Sequence, residues 1–435
     1  MKTITTKLNI NPSYPLMAPY DWEDIVFFDI ETTGFSANTA YLYLIGCMYY
    51  KDNSWQITQW LADDMNSEQP IIEAFFHMLS SHKRLIHFNG TGFDIPFILQ
   101  KCRKHNMGLS FGQIESYDIY KKILKLKKLL PLPNYKLKTV EKFVGINRTD
   151  TFSGEELIQI YANYLGRLQY EKLLRKSSQN KSSTESNTGN SIPRIERDNT
   201  KNLSSQELSE IILLHNFEDV KGLIRVADML FYLDIFENCP LQTVSLQEEP
   251  AREGTLSVQG YEEQLSSVLC LHSVLPFNLP QPVILHTPLP EIGTPDTENP
   301  NSSALFCVKL LLKSNLLTLK LPVYNGELKY YFENYRDYFY LPKEDTAIHK
   351  SVAQYVDKEF KVKAKPANCY NKKQGRFLPQ TETLFKPDFK NAPSDKITYF
   401  ELSDKTLEDS KSLNEYIKSI LQYILTNKAT TLVIN

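Results

Sequence analysis

Hydrophobic and polar residues follow two different rhythms along the first part of the chain. Short runs rich in aromatic and β-branched residues predict strands, and apolar residues at intervals of three and four predict helices between them. In chain order these are strands at 25–30, 40–51 and 54–63, a helix at 68–83, a strand at 84–88, a helix at 94–106 and a strand at 113–117. An antiparallel start followed by alternating strands and helices predicts an α/β fold with a mixed sheet flanked by helices.

Helical spacing continues along the chain and is interrupted by one long polar segment. Further helices are predicted at 135–146, 154–176, 203–233 and 412–427. The segment at about 174–204 is rich in Ser, Asn and Thr and almost free of large apolar residues, which predicts a disordered surface insertion. Beyond Cys239-Pro240, Pro-rich polar segments alternate with strand-like runs at 304–326 and 327–341.

These changes of pattern divide the chain into three regions. A chain of 435 residues is long enough for two or three domains with sizeable cores. We predict a lead-in at 1–20, a helix-and-sheet domain at 21–238 that carries the insertion, and a smaller β-rich α+β domain at 239–435 with an accessory role.

Composition and charge exclude several classes of protein. With 49 Lys and Arg against 51 Asp and Glu the chain is not a polycation, so any contact with nucleic acid has to come from local patches. The six cysteines form neither a CxxC pair nor a cluster at zinc spacing, which favours reduced thiols. The start of the chain lacks the apolar run of a signal peptide, and no stretch reaches the ~20 apolar residues of a membrane helix. We therefore expect a soluble, cytoplasmic protein.

Two acidic residues, Asp29 and Glu31, come at the end of the first apolar strand, IVFFDIETTG. Residues two apart on a strand point to the same side, and carboxylates that close repel each other unless a cation lies between them. The stretch contains no Lys or Arg, and carboxylate oxygens suit Mg²⁺ or Mn²⁺. A metal site and a pair of solvated acids that cap a turn both explain this pattern.

Two further groups of polar residues are placed by the predicted elements. Asn89 and Asp94 flank a Gly-containing turn between a strand and a helix, where Asp94 would equally serve as a helix-capping acid. His215 and Asp219 are four residues apart and therefore share one face of a helix. Taken singly, an exposed Asp and a hydrogen-bonded His explain this pair as well.

Taken together, these groups resemble the motifs of a known superfamily. DIETTG (29–34), HFNGTGFD (87–94) and HNFED (215–219) resemble, in order, spacing and predicted placement, the motifs of the DEDD 3′–5′ exonucleases. The chain is more closely similar to bacterial ribonuclease H-like domain proteins usually described as predicted exonucleases. This resemblance covers roughly residues 20–238 and implies a ribonuclease H-like fold there.

The resemblance also implies a set of site residues. Asp29, Glu31, Asp94 and Asp219 would bind two divalent metal ions, Mg²⁺ or Mn²⁺, for phosphodiester hydrolysis. His215 departs from the pattern of the superfamily's third motif. In one branch of the superfamily this motif is Tyr-x-x-x-Asp and in the other it is His-x-x-x-x-Asp, whereas this chain has His-x-x-x-Asp. We expect His215 to orient or deprotonate the attacking water, and the alternative is a structural neighbour.

Several nearby residues have both a functional and a structural interpretation. Thr32 and Asn89 are candidates for contact with the terminal nucleotide, although Asn89 would also simply bridge its turn. Asp118 is expected to cap the helix that follows it, with an outer-shell role as the alternative. His87 lies in an apolar strand, where a hydrogen-bonded core histidine is the favoured interpretation.

The leading hypothesis is a metal-dependent exonuclease that acts on the 3′ end of single-stranded DNA or RNA. The C-terminal domain would bind this substrate or a protein partner, and the aromatic-rich run 323–343 and the basic run 358–377 suit single-stranded nucleic acid. An ordinary aromatic core and a solvated basic loop explain the same residues. Two alternative functions are a structure-specific endonuclease and a domain that binds nucleic acid or protein without cleaving it.

Overall fold

The computed structural model describes residues 1–130, 132–178, 203–241, 244–250, 265–289, 307–403, 410–427 and 430–433. Two compact units are present. The first unit contains Met1–Lys125 and Leu132–Leu230, and the second contains Leu126–Pro131 and Phe231–Asn435. In the described part of the chain, no helix has both the length and the apolar character needed to cross a membrane.

The first unit is built on one six-stranded mixed sheet with helices around it. Its strands are β1 (Lys2–Leu8), β2 (Ile25–Thr32), β3 (Leu42–Lys51), β4 (Ser54–Leu61), β5 (Arg84–His87) and β6 (Glu115–Asp118). Its helices are α1 (Glu68–Leu79), α2 (Asp94–Lys104), α3 (Ile119–Ile123), α4 (Leu137–Phe143), α5 (Gly154–Ser178) and α6 (Ser205–Val226), with 3-10 turns at Trp22–Asp24, Leu124–Lys128 and Ala227–Met229. The strand order is β1-β4-β3-β2-β5-β6.

Strand β2 lies in the middle of this sheet and is buried on both faces. It pairs antiparallel with β3 and parallel with β5, which in turn pairs parallel with β6. A strand covered on both faces needs apolar residues at consecutive positions, which explains the unbroken run at 25–28. The carboxyl ends of β2, β5 and β6 therefore meet at one edge of the sheet, where their polar residues converge.

Helix α6 packs across β2, β3 and β4 and carries the third group of polar residues to this edge. Its start is fixed by a capping box, in which the Ser204 side chain accepts from Glu207 and Glu207 accepts from the Ser204 backbone. Such a cap is typically worth about 1 kcal/mol. Glu171 of α5 also accepts from the Ser205 backbone at 2.9 Å and from its hydroxyl at 2.5 Å. The start of α6 is thus tied to α5.

The second unit is β-rich. Its strands are β7 (Val244–Pro250), β8 (Leu265–Val274), β9 (Val283–Pro288), β10 (Cys307–Lys313), β11 (Leu316–Tyr331), β12 (Tyr338–Leu341), β13 (Thr346–His349), β14 (Val362–Lys363), β15 (Tyr370–Gln380), β16 (Thr398–Glu401) and β17 (Thr430–Val433). Its helices are α7 (Leu230–Asn238), α8 (Lys350–Ala353) and α9 (Ser410–Thr426), with 3-10 turns at Tyr335–Asp337 and Lys358–Phe360. One sheet has the path β16-β15-β11-β10-β9-β17 with β7 and β8 beside it, and the second has the order β13-β12-β14.

The predicted fold class is confirmed: a mixed sheet flanked by helices is followed by a β-rich unit. Several elements differ from the prediction. The single helix expected at 203–233 is divided into α6, a 3-10 turn and α7. Residues 2–8 lie in the region expected to be a lead-in, yet they form an edge strand paired with β4. The run expected at 304–326 contains two strands, β10 and the first part of β11. No break occurs at residue 326, because β11 continues through Gly326 to Tyr331 by pairing with β15. Most of the predicted insertion at 174–204 lies outside the described residues, and its first part, up to Ser178, belongs to α5.

Candidate metal centre

The carboxylates of Asp29 and Glu31 leave β2 on the same face of the sheet, toward α6. Asn216 of α6 donates to the Asp29 carboxylate at 3.1 Å, and the His215 Nε2 atom lies 3.7 Å from Glu31 Oε1. The preceding apolar residue Phe28 is on the opposite face, where its ring stacks on Phe75 of α1 at 5.4 Å. Strand alternation therefore directs both acids to one place.

Helix α6 contributes the compact part of the site. One ligand atom from each of Glu31, His215 and Asp219 lies within 4.8 Å of the others. The His215 Nε2 atom is 3.6 Å from Asp219 Oδ2, as the four-residue spacing on one helix face requires. The carboxylate oxygens of Glu31 and Asp219 are thus close enough to share a small cation, and His215 Nε2 is directed at the same place.

Asp94 is the first residue of α2, after the N-cap residue Phe93, and is an acid in the first turn of that helix. It is 7% exposed, and burial raises its pKa to about 7, against backbone hydrogen bonds that act to lower it. Repulsion from Asp118 and Asp219 adds to the increase. Asp94 thus belongs electrostatically to the acidic cluster, although it is not one of the three residues of the compact set.

The cluster contains more negative charge than the surrounding protein neutralises. Burial, followed by repulsion from Asp219, Asp94 and Glu31, raises the pKa of Asp29 well above its usual value. Burial also raises the pKa of Glu31 to about 8, although the neighbouring His215 acts to lower it. In the described residues, no Lys or Arg forms an ion pair with Asp29, Glu31 or Asp94. Hard oxygen donors without a protein counter-charge fit a divalent cation, which would keep them ionised.

Asp219 differs from the other acids because it already has a cationic partner. The guanidinium of Arg148, in the segment between α4 and α5, contacts Asp219 Oδ1. The same guanidinium holds the buried Glu141 of α4 through two bonds, at 2.5 Å and 2.8 Å. Asp219 Oδ2 remains directed toward His215. Arg148 therefore leaves one Asp219 oxygen for the site.

A second residue of this segment, Asp150, lies behind His215. Its Oδ2 atom is 2.7 Å from His215 Nδ1, on the side of the ring opposite the acidic cluster. Burial acts to raise the pKa of Asp150, but its contacts with His215, the Phe152 backbone and Lys138 lower it to about 2. Asp150 is therefore ionised, and His215 lies between one carboxylate at Nδ1 and two at Nε2.

A glycine in β3 makes room for the residue that binds Asp29. Gly46 is the cross-strand partner of Asp29, and a Cβ atom at this position would overlap the Asn216 amide. Asn216 is fully buried, and its Oδ1 accepts from Gln59 of β4 at 3.0 Å. The absent side chain at Gly46 thus lets Asn216 reach the Asp29 carboxylate.

Of the predicted substrate residues, Thr32 is the last residue of β2 and Asn89 lies in the turn between β5 and α2. Thr32 donates its hydroxyl to the Gly34 carbonyl at 2.9 Å. Asn89 is exposed and has a positive φ of 64°, and its backbone donates to Asp118 at 2.9 Å. The ring of Phe35 is 89% exposed and lies 6.1 Å from Phe93, which directly precedes Asp94. Two aromatic rings therefore come from the turn that follows β2 and the turn that precedes α2.

His87 and Asp118 form a structural pair below the Asn89 turn. The His87 ring bonds Ser116 at 2.8 Å and the Gly90 backbone at 3.0 Å, and burial lowers its pKa to about 4. Asp118 accepts from the Asn89 backbone and from the Lys121 backbone, so it caps α3. These contacts account for both residues without a catalytic role.

The aromatic and basic runs of the second unit are largely engaged within that unit. Rings from the aromatic run, among them Phe332, Tyr338 and Tyr340, pack on a small core around Cys369. Three of the basic residues form ion pairs: Lys372 with Asp345 and Glu327, Lys373 with Glu401, and Arg376 with Glu248. The structural interpretation therefore explains these side chains.

Sequence reasoning missed Arg148, Asp150, Asn216 and Phe35. Arg148 and Asp150 lie in an irregular segment that no periodicity places, whereas Asn216 stands directly beside His215 in the motif. Asn216 could have been found from the sequence as an amide directly beside the candidate residue His215 on a helix with many apolar residues. Phe35 could have been found as an aromatic residue one position beyond the DIETTG motif.

Residues 26–186 match the model of a family described as the RNase_H superfamily. The fold is ribonuclease H-like. This match supports a nuclease-type function, and proteins with this fold generally use divalent metals. No curated protein is significantly similar to the chain.

Solved structures that can be partly superposed on this chain include a DNA polymerase and exonuclease I. A family B DNA polymerase from the archaeon Pyrobaculum calidifontis matches 61% of this chain and 34% of its own, with 10% identity and a TM-score of 0.31. Exonuclease I matches with 10% identity, 60% and 54% coverage and a TM-score of 0.27. The metal-free complex of E. coli exonuclease I with single-stranded DNA gives 10% identity, 67% and 64% coverage and a TM-score of 0.26. The chain thus spans less than two thirds of each of these proteins, and similarity of this extent assigns no activity.

Proposed function

We propose that this protein is a metal-dependent nuclease that removes nucleotides from the 3′ end of single-stranded DNA or RNA. The observation that carries the proposal is the cluster of Asp29, Glu31, Asp94 and Asp219, of which the first three lack a Lys or Arg partner in the described structure. A non-catalytic surface for a polyanion would gain nothing from clustered carboxylates. Clustered carboxylates become useful beside a polyanion only when they bind divalent metals, which reverse the local charge.

In this proposal the four carboxylates would hold two Mg²⁺ or Mn²⁺ ions. When bound, such ions supply an activated water and a counter-charge for the leaving oxygen. His215 accepts a proton from the attacking water at Nε2, which faces Glu31 and Asp219. Asn216 fixes the Asp29 carboxylate, and burial keeps the surrounding dielectric low.

The 3′ nucleotide would lie against the two turns beside the acids. Thr32 and Asn89 provide polar groups there, and the exposed ring of Phe35 offers a face on which a base stacks. Stacking is indifferent to base identity, because every base has a π face. We therefore propose a substrate chosen by its free end and single-stranded form, not by its sequence.

The test uses 5′-labelled single-stranded DNA and RNA with Mg²⁺, Mn²⁺ or chelator. The expected result is a ladder that shortens from the 3′ end, requires metal and disappears in Asp29→Asn. Asp228→Asn is the matched control, since Asp228 is a buried carboxylate whose partner is Arg225 and not the acidic cluster. A ladder that persists in Asp29→Asn would contradict the proposal.

Two further substrates separate the alternatives. Cleavage of circular single-stranded DNA would indicate an endonuclease, because a circle has no 3′ end. Metal-independent binding of the linear strands, without cleavage under any metal, would indicate a binding domain. Either result would replace the proposal.

A further inference from the structure

We propose that Asp150 is a positioning residue that fixes the orientation of the His215 ring and the nitrogen on which it carries its proton. The inference rests on the proposed function, since it concerns the residue that accepts the proton of the attacking water. Neither the sequence motif nor the four metal-binding acids include Asp150. Its role follows from where the structure puts its carboxylate.

The two nitrogens of His215 have different surroundings. Nδ1 lies 2.7 Å from Asp150 Oδ2, whereas Nε2 lies 3.7 Å from Glu31 and 3.6 Å from Asp219. The side chains of His215 and Asp150 are 5% and 1% exposed, so water does not compete for this contact. In the neutral ring one nitrogen carries the proton and the other is the acceptor. The Asp150 carboxylate is nearer to Nδ1 than either acid is to Nε2, so its negative charge favours a proton on Nδ1 and leaves Nε2 as the acceptor.

Asp150 is itself held so that it cannot follow the ring. Its Oδ1 atom accepts from the Phe152 backbone at 3.0 Å, and Oδ2 accepts from Lys138 at 3.1 Å. Its backbone donates to Glu218 at 2.9 Å. Glu218 lies on α6, between His215 and Asp219, so the helix that carries the base also anchors the residue behind it.

This arrangement has a chemical consequence at each nitrogen. The proton from water would move to Nε2, and the ring would become an imidazolium with both nitrogens protonated. Asp150 stabilises that cation through the Nδ1 proton and does not itself take up a proton. An amide at position 150 would instead donate to Nδ1 and turn the ring into the wrong tautomer.

The first test is a double-mutant cycle on cleavage at saturating metal. Asp150→Asn is expected to lower kcat about 100-fold or more with little change in KM, since general-base contributions have this size. In a His215→Ala background the same substitution should have no further effect, because Asp150 acts through the ring. Asp228→Asn again serves as the isosteric control. An unchanged kcat in Asp150→Asn, or losses that add, would overturn the proposal.

The second test reads the tautomer directly and needs no activity. Long-range ¹H–¹⁵N spectra of metal-free protein, at a pH where the His215 ring is neutral, should show the proton on Nδ1. In Asp150→Asn it should move to Nε2, and in Asp228→Asn it should stay. A proton on Nε2 in the unaltered protein would refute the inference even if cleavage is found. Persistent cleavage by Asp29→Asn would instead refute the proposed function.

Discussion

Arg148 joins Glu141 of α4 to Asp219 of α6. Among the described residues it is the arginine that forms an ion pair with the acidic cluster. Its guanidinium is 8% exposed, and Glu141 is 1% exposed. An unpaired buried carboxylate is strongly destabilising, so this arginine is needed when no metal is bound. It also places a positive charge beside the proposed metal ligands.

We expect Arg148→Met to lower the thermal stability of the metal-free protein and to enlarge the increase in Tm that divalent metal produces. The metal would then supply the counter-charge that Arg148 provides, and ligands that bind only the folded state stabilise it. The measurement is thermal unfolding with chelator and with a series of Mg²⁺ or Mn²⁺ concentrations.

The matched control for this experiment is Arg84→Met. Arg84 is also buried and pairs with Glu115 at 3.0 Å, away from the acidic cluster. Its loss should lower Tm equally with and without metal. Equal metal-induced shifts in Arg148→Met and in the unaltered protein would show that Arg148 does not substitute for metal.

The metal-free protein should become less stable as the pH rises. Glu31 has an ordinary pKa of 4.5 that burial raises to about 8, and Asp94 has one of 3.8 that burial raises to about 7. Between these limits the folded protein keeps protons that the unfolded chain has released, so the free energy of unfolding decreases with pH. This contribution is fully present below the ordinary values and is lost as the pH passes the raised ones.

Urea unfolding at several pH values between 5 and 8.5 would measure this slope. Saturating Mg²⁺ should flatten it, because the bound ion favours the ionised carboxylates. Glu31→Gln should reduce the slope in chelator. A metal-free stability that rises over this range would contradict the assignment of raised pKa values to the cluster.

Gly46→Ala is expected to lower the cleavage rate about 10- to 100-fold, the size typical of partners that orient metal ligands. The added methyl would displace Asn216, and Asp29 would lose its hydrogen bond. Steady-state cleavage and metal affinity would both be measured.

Gly166→Ala is the control for the Gly46 substitution. Gly166 is an exposed position in α5 where a Cβ meets nothing within 4 Å. Alanine there should stabilise the helix by roughly 0.5–1 kcal/mol and leave cleavage unchanged. If both substitutions leave the rate unchanged, Asn216 does not matter for the site.

Phe35→Ala should weaken binding of single strands and leave the fold intact. A base stacked on an aromatic ring contributes roughly 1–3 kcal/mol, so KM would rise about tenfold. Tyr170→Ala removes another exposed ring, 54% exposed on α5, and should have no such effect. A KM that is the same in all three proteins would place the substrate away from Phe35.

The sequence predicted those parts of the site that local geometry determines. Alternation on β2 put Asp29 and Glu31 on one side, and the four-residue spacing put His215 beside Asp219. The same reasoning predicted the strands and helices around them. A regular element fixes the direction of its side chains, whatever the rest of the chain does.

Residues in irregular segments could not be placed in this way. Asp150 reaches His215 because Glu218 and Lys138, from two different helices, hold its backbone and side chain. Residues 2–8 pair with distant residues of β4, from Lys2 with Leu61 to Leu8 with Trp55, although their Thr residues were compatible with a strand. Contacts between distant parts of the chain decide such positions, and no short pattern encodes them.

The contact between Glu171 and Ser205 implies that a sequence inserted between α5 and α6 would be tolerated. It ties α5 to the start of α6 independently of the chain that joins them. A fluorescent protein or affinity tag inserted between residues 179 and 202 would therefore leave His215 and Asp219 where they are, since an added loop mainly changes closure entropy. The position of α6 would then not depend on the length of that connection.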